Sequence, residues 1–388
     1  MKRIILAGLA LAASAAPALA VDQIKLGFLV ALSGVGGVVG EEQRRGLELA
    51  LGDLGNKLGG VPVTLFTQDD KNDPAVAVQV ASKLIDDNHV DIVTGFTGSN
   101  TTIAVEKAFL DSGAFIVGAL AGPEEFAGKD CNANAFHTSF ENEDWDDVLG
   151  KYMSDKGVKS AYFMGVDYQA GWQKIGGAMK HFKGKAFGPV YTPFAQLDFS
   201  AEIAQIRAAN PDAVFVFYIG GLGIAFIKQF AQAGLKDKIA FYSEDTISSE
   251  LTFAAEGDNA LGIIQSTSWT ADIDNPANKK FVADFTAKYG RGPAIFAALQ
   301  YDAINLLDSA VAAVHGKIED KDAFRAALRK ADFQSIRGPF KFNNNQYPIQ
   351  NIYITEVEKG ANGKLKIALK GVGAENWQDL YHDKCPLK

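Results

Sequence analysis

From Ile24 onward, short apolar runs alternate with stretches whose apolar positions recur at helical spacing. Runs at 24–32, 62–68, 91–95 and 114–118 are separated by amphipathic stretches near 41–54, 74–87 and 100–112. This is the cadence of βα units on a parallel sheet. The cadence then restarts, with runs at 160–165, 186–191, 213–218 and 239–242 and helical stretches near 170–182, 200–209 and 221–233. Strand starts fall about 23–38 residues apart in the first set and about 26 apart in the second. The pattern predicts an α/β protein with two similar doubly wound, Rossmann-like units. Between them, 140–151 is acidic and polar and reads as a crossing between lobes followed by the start of a helix.

After Glu250 the simple alternation fails. The spacing predicts a strand over 263–268, a helix over 278–289, a long apolar helix over 295–315 that carries Tyr301 and Asp302, a turn into a strand over 338–343, and a strand over 352–357. These late elements must add to lobes already begun, so each lobe is expected to be discontinuous in sequence. Open parallel sheets bind ligands outside the carboxyl ends of their strands. Two such sheets facing each other would share a cleft, and the turns after the strands become the positions of interest.

The stretch 91–109 is the most informative of these. Ile92 and Val93 lead into a turn rich in glycine and hydroxyl residues (Gly95, Gly98, Ser99, Asn100, Thr101, Thr102) and then into an amphipathic helix. The first turn of a helix has unpaired N–H groups and the positive end of the dipole, which suits a carboxylate. Ser99 and Asn100 either hold the polar head of a ligand there or simply cap the helix.

The first twenty residues read as a secretory signal peptide. Lys2 and Arg3 precede an apolar stretch from Ile4 to Ala16, and Ala18-Leu19-Ala20 forms a small-x-small cleavage site ahead of Val21. The apolar stretch is short and Ala-rich for a membrane span. An exported, periplasmic protein cleaved after Ala20 is expected, with 368 residues (388 minus 20), enough for two domains. Removing Lys2 and Arg3 takes the formal charge from −8 to −10, which argues against nucleic acid or an anionic membrane surface as partner. The two cysteines, Cys131 and Cys385, read in an oxidising compartment as one disulfide tying the C-terminal tail to the body, against the alternative of two unpaired thiols. Their separation does not suit a metal site.

Catalytic patterns find little support. The loop Ser33 to Gly40 suggests a dinucleotide fingerprint, but G-x-G-x-x-G fails at Val39, and Asp69 and Asp70 come too late for the ribose. Tyr152 and Lys156 match Y-x-x-x-K, a spacing that recurs by chance. Asp69 to Asp73 lacks the glycine and terminal glutamate of a calcium loop, and Asp73 as N-cap with Pro74 in the first turn is the better account. His89, His137, His181, His315 and His382 show no metal-ligand spacing, and no G-x-S-x-G is present. No catalytic residues, metal or cofactor are therefore assigned. Tyr168, Trp172, Tyr218 and Trp269 stand near strand ends or crossings; singly they suit core packing, and as a set they suit a cleft closing on a flat or apolar ligand.

In order and spacing, 27–34, 69–74, 95–102, Pro123-Glu124, 167–171, 215–218, Tyr301-Asp302 and Gly338-Pro339 resemble the solute-binding proteins of branched-chain amino acid type ABC importers, across nearly the whole mature chain. The resemblance implies a type I periplasmic binding protein, two lobes joined by three crossings: 21–139 plus 268–342 as lobe 1, and 140–267 plus 343–388 as lobe 2. It implies hinge closure on a small solute, delivery to a permease in the inner membrane, and a monomer. Amino acid binders of that family hold the ligand carboxylate with a serine at the Ser99 position, and the ammonium with a threonine and an acidic residue. Here Ala121 replaces the threonine, and the acid corresponds to Glu244 or Asp245. Val39 and Ala170 stand near the places of two family aromatics.

The run Tyr168 to Gly171 resembles the subset that binds benzoates and hydroxycinnamates. The resulting expectation is a small aromatic carboxylate, held by Gly98, Ser99 and Asn100. Ala119 and Ala121 make room for the ring, Phe96, Tyr168 and Tyr218 line it, Leu120 belongs to the same ligand-binding set, and Glu244 accepts from a ring hydroxyl. Branched-chain or other apolar amino acids are the alternative, and an exported enzyme using the same cleft is the alternative of another class.

Overall fold

The computed structural model describes residues 22–387, so the expected signal peptide lies outside the described residues. The first lobe runs β1 (Ile24–Val30), α1 (Gly37–Asp53), β2 (Lys57–Leu58), β3 (Val61–Asp69), α2 (Pro74–Ser82), β4 (Ile92–Gly95), α3 (Ser99–Ser112), β5 (Phe115–Gly118), α4 (Glu124–Ala127) and β6 (Ala135–His137). The second runs α5 (Asp144–Asp155), β7 (Ser160–Val166), α6 (Gln169–Lys180), β8 (Lys185–Thr192), α7 (Ser200–Ala209), β9 (Ala213–Phe217), α8 (Gly220–Gln232), β10 (Ala240–Glu244), α9 (Phe253–Glu256) and β11 (Ile264–Thr267). The late elements are α10 (Pro276–Tyr289), α11 (Ile295–Ala313), α12 (Lys321–Lys330), β12 (Lys341–Phe342), β13 (Pro348–Lys359) and β14 (Leu365–Trp377).

The sheets follow one plan twice. The first is ordered β2-β3-β1-β4-β5-β6 and the second β12-β13-β11-β10-β9-β7-β8, with β14 beside β13. Without their antiparallel additions, both have the doubly wound order 2-1-3-4-5. Side chains alternate between faces: Leu26, Phe28 and Val30 of β1 enter one core and Leu29 another, and in the second sheet Tyr162 and Met164 of β7 face one core and Ala161 and Phe163 the other. Both faces are covered, which is why these strands read as continuous apolar runs.

The late elements return to the first lobe and then to the second. Helix α11 packs along α1, where a side chain at Gly46 would bring its Cβ within 2.2 Å of the Ala297 carbonyl oxygen. Glycine is therefore required at that crossing. The buried pair of Asp302 and Arg337, Nε to Oδ2 2.8 Å, ties α11 to the last crossing. A disulfide joins Cys131 to Cys385, with Cα atoms 5.7 Å apart.

Six elements escape the sequence pattern, the short β2, α4 and α9 and three others. Strand β6 has three residues and lies just after the polar segment 132–134. Helix α12 buries only Phe324 and Leu328. In β14 most side chains are exposed or half-buried and several are charged, as suits a sheet edge, so no apolar run marks it. The turn at 338–343 yields only the two-residue β12.

Candidate ligand site

In a sheet of order 2-1-3-4-5 the ligand crevice opens where the winding reverses, beside the first strand. In the first lobe that point lies between β1 and β4, and in the second between β7 and β9. One cavity is lined from both: Gly36 and Val39 follow β1, Thr97 to Ser99 follow β4, Tyr168 and Ala170 follow β7, and Phe217 and Ile219 stand at the end of β9. Leu120, Ala121, Glu244, Thr246, Phe296 and, from the first crossing, Phe140 and Asn142 complete most of the wall.

The first-lobe end is built to donate. Thr102 N–H to the Gly98 carbonyl, 3.0 Å, closes the first turn of α3, so the N–H groups of Ser99, Asn100 and Thr101 precede any helical partner. Ser99 is buried, and its Oγ accepts from Asn142 Nδ2 at 3.0 Å, leaving its own proton for a ligand. The same Nδ2 donates to Gln173 Oε1 at 2.7 Å, which links α3 through the crossing to α6. A Cβ at Gly98 would fall 2.0 Å from Asn72 Oδ1, so a side chain there would require the Asn72 amide to move. Nearby, Asp69 holds the loop after β1 through Leu32 N (2.8 Å) and Ser33 Oγ (2.6 Å). Partial burial raises the Asp69 carboxyl, but bonds from Ser33, Lys71 and Leu32 outweigh it and leave it below its ordinary value.

The second-lobe end carries a compensated charge pair. Lys174 of α6 is buried, and its Nζ lies 2.5 Å from Glu244 Oε2, 3.3 Å from the Asn142 carbonyl and 3.7 Å from Asp146 Oδ2. Thr246 Oγ1 donates to Glu244 Oε1 at 2.5 Å. Burial pushes the Lys174 ammonium down, but Glu244, Asp146 and Glu141 outweigh it and raise it above its ordinary value, so it stays charged. Asp146, desolvated beneath the pair, is pushed well up. The rings of Phe140, Phe217 and Trp145 surround the ammonium at 4.7, 5.3 and 5.7 Å. Tyr168 stacks on Phe217 at 6.3 Å, and burial with the neighbouring Glu244 raises its hydroxyl.

Of the residues singled out in the sequence, Gly98, Ser99, Leu120, Ala121, Tyr168 and Glu244 line this cavity. Four do not. Tyr218 is fully buried in the second-lobe core against Phe199 and Phe226, its hydroxyl 2.8 Å from Thr192 Oγ1. Phe96 takes a left-handed φ of 64° that turns its ring onto Phe109, while its carbonyl accepts from Ala121. Ala119 is fully buried in the first-lobe core. Asn100 turns its amide to the Asn72 carbonyl at 3.4 Å, although its backbone belongs to the helix start. Between Glu244 and Asp245, only Glu244 lines the cavity. Val39 and Ala170 are both at its wall.

Sequence reasoning missed Lys174, Asn142, Phe140, Phe217 and Thr246. A lysine within an amphipathic helix reads as solvated, and no spacing in the chain brings residue 174 to residue 244. Among the described residues no group of His, Cys, Asp and Glu is arranged to hold a metal, and no helix is long and apolar enough to cross a membrane.

Residues 23–363 match the profile of the family described as periplasmic binding protein. Among solved structures, the chain is similar to an ABC transporter solute-binding protein from R. palustris, described in complex with benzoate, at 32% identity and a TM-score of 0.88, covering 94% of this chain and 100% of that one. It is similar to a solute-binding protein of an ABC transporter from Rhodopseudomonas palustris BisB5, in complex with 3,4-dihydroxy benzoic acid, at 25% identity and a TM-score of 0.85, covering 92% and 99%. A Leu/Ile/Val-binding protein homolog 6 from Brucella melitensis is 27% identical over 377 residues, covering 94% of this chain and 95% of that protein.

Proposed function

Because the chain belongs to the periplasmic binding protein family, we propose that it is the solute-binding component of an ABC importer and takes a small aromatic carboxylate of benzoate or hydroxycinnamate type between its lobes. The observation that carries this reading is the polarity of the cavity. One end offers Ser99 Oγ and the N-terminus of α3 to an anion, and the lining carries the rings of Phe140, Tyr168, Phe217 and Phe296. The similar structures from R. palustris are described with benzoate and with 3,4-dihydroxy benzoic acid, which supports the same class. Thr246 Oγ1, whose proton goes to Glu244, can accept from a ring hydroxyl.

The ligand would favour the closed form because it contacts both lobes, and it would leave unchanged when they open, without turnover. Export after cleavage behind Ala20, docking of a single copy on an inner-membrane permease, and the lobe division at 139/140, 267/268 and 342/343 belong to the same reading. A second reading, an apolar amino acid as ligand, is favoured by the names of the curated relatives.

Calorimetry with benzoate, 4-hydroxybenzoate, 4-hydroxycinnamate and leucine separates the two. Heat with the aromatic acids and none with leucine is the expected result, and leucine binding alone reverses the assignment. Ser99→Ala should weaken the aromatic acids roughly ten- to a hundredfold, the scale of one lost bond to a charged group. Unchanged affinity would remove the carboxylate from α3.

A further inference from the structure

Glu244 is the one acidic residue among those lining the cavity, and it is already occupied. Lys174 stands on one carboxylate oxygen and Thr246 on the other. The lysine is not a surface side chain folded inward. It is 4% exposed, its stem belongs to α6, and its head is fixed by the Asn142 carbonyl of the crossing, by Asp146 of α5 and by Glu244 at the end of β10. A cation seated on Glu244 and on the Asn142 carbonyl has little need of a further anion, and a carboxylate held by a lysine and a hydroxyl has little left for a second cation.

We infer that Lys174 is the residue that keeps amino acids out: its Nζ supplies Glu244 with the ammonium that a ligand would otherwise bring. An α-ammonium entering this end of the cavity would meet the fixed Lys174 charge within a few ångströms, in surroundings with little water to screen it. It would also find no unpaired carboxylate, and Ala121 offers it no hydroxyl. A ligand with a carboxylate and no amino group meets the donors at α3 without either cost. The cleft thus selects for the absence of a group, by leaving that group without a partner. This inference rests on the reading of the α3 end as a carboxylate site.

The test uses ligand pairs that differ only in the ammonium: 3-phenylpropanoate with L-phenylalanine, and 4-methylpentanoate with L-leucine. Affinities are measured by calorimetry on the wild type, Lys174→Met and Lys174→Gln, the glutamine retaining a neutral donor toward Glu244 should the methionine variant not fold. In the wild type the acid of each pair should bind at least about a hundredfold more tightly than its amino acid. In the variants that ratio should fall by tenfold or more because the amino acid gains affinity. The double variant Lys174→Met/Glu244→Gln, with no carboxylate left for the ammonium, should return the ratio toward the wild-type value.

Variants that bind the acid and still reject the amino acid to the wild-type degree would overturn the inference while leaving the proposed ligand class standing. Variants that lose the acid instead would show Lys174 to be the partner of the ligand carboxylate, and would overturn it too. A wild type that binds the amino acids as well as the acids would overturn both this inference and the ligand class from which it starts.

Discussion

Ser99 and Tyr218 were equally visible as polar or aromatic side chains just after a strand, and the fold uses them in opposite ways. Ser99 opens α3 beside the cavity, where Asn142 holds its oxygen. Tyr218 is turned into the second-lobe core, where its ring meets Phe199 at 5.0 Å and its hydroxyl pairs with Thr192. Tyr218→Phe should therefore lower stability by about 1 kcal/mol, the net value of one buried hydrogen bond, and leave ligand affinity unchanged. Denaturant melts and calorimetry on the same variant check both halves. A variant with normal stability and lost affinity would return Tyr218 to the ligand. The sequence identified the turn that carries Ser99 because helix starts have a local grammar of glycine and hydroxyl residues. It gave no sign of Lys174, whose partners at 142, 146 and 244 come from three different elements.

Among the elements, α4 and α6 meet across the cleft. Gln169 at the start of α6 donates from Nε2 to Glu125 Oε1 of α4 at 3.0 Å, a bond between lobes one helical turn from Gln173 of the Asn142 chain. A contact that exists only when the lobes are together adds to the closed form. Gln169→Ala should weaken whichever ligand binds by roughly three- to tenfold, through faster release, since one such bond contributes about 0.5–1.5 kcal/mol. Stopped-flow dissociation measures this, and an unchanged off-rate would deny the bond a part in closure. Element types were legible wherever a strand is covered on both faces or a helix has an apolar stripe. Asp73 does cap α2, accepting from Ala75 and Val76, with Pro74 following. At the rim, β14 was not legible, because exposure removes the apolar signal on which such a reading depends, whereas α12 was missed although Asp320 caps it and Phe324 and Leu328 share one face.

At the scale of the molecule, the first crossing is a buried run of acids. Glu141, Glu143, Asp144, Asp146 and Asp147 are all nearly inaccessible, opposite Lys174 and Lys180. Desolvation raises Glu141, Asp144 and Asp146 well above ordinary carboxylate values and Asp147 to about 7. Elsewhere, burial raises Glu250 and Glu256 to about 7. In the unfolded chain these groups titrate near their ordinary values, roughly 4. Between that value and about 7 the folded state holds more protons, so stability falls as pH rises through the window. Melting should accordingly come at higher temperature at pH 5.5 than at pH 8, read by calorimetry at constant ionic strength; the opposite order would mean that the acids are ionised and compensated in the fold. The sequence showed this segment as acidic and placed a crossing there, but charge in a sequence says nothing of burial.

What could be read from the chain alone was what local periodicity encodes: two sets of βα units, the switch-point turns, the serine that opens α3, and a cysteine pair that the fold does join. Those features depend on neighbours a few residues apart, where backbone geometry and hydrophobic spacing decide the outcome. The orientation of Phe96 and Tyr218, the choice of Glu244 over Asp245, and the charge pair at the second-lobe end depend on contacts between residues tens to hundreds of positions apart. Only packing brings those together, because a side chain enters a cavity or a core according to what the opposite element leaves room for.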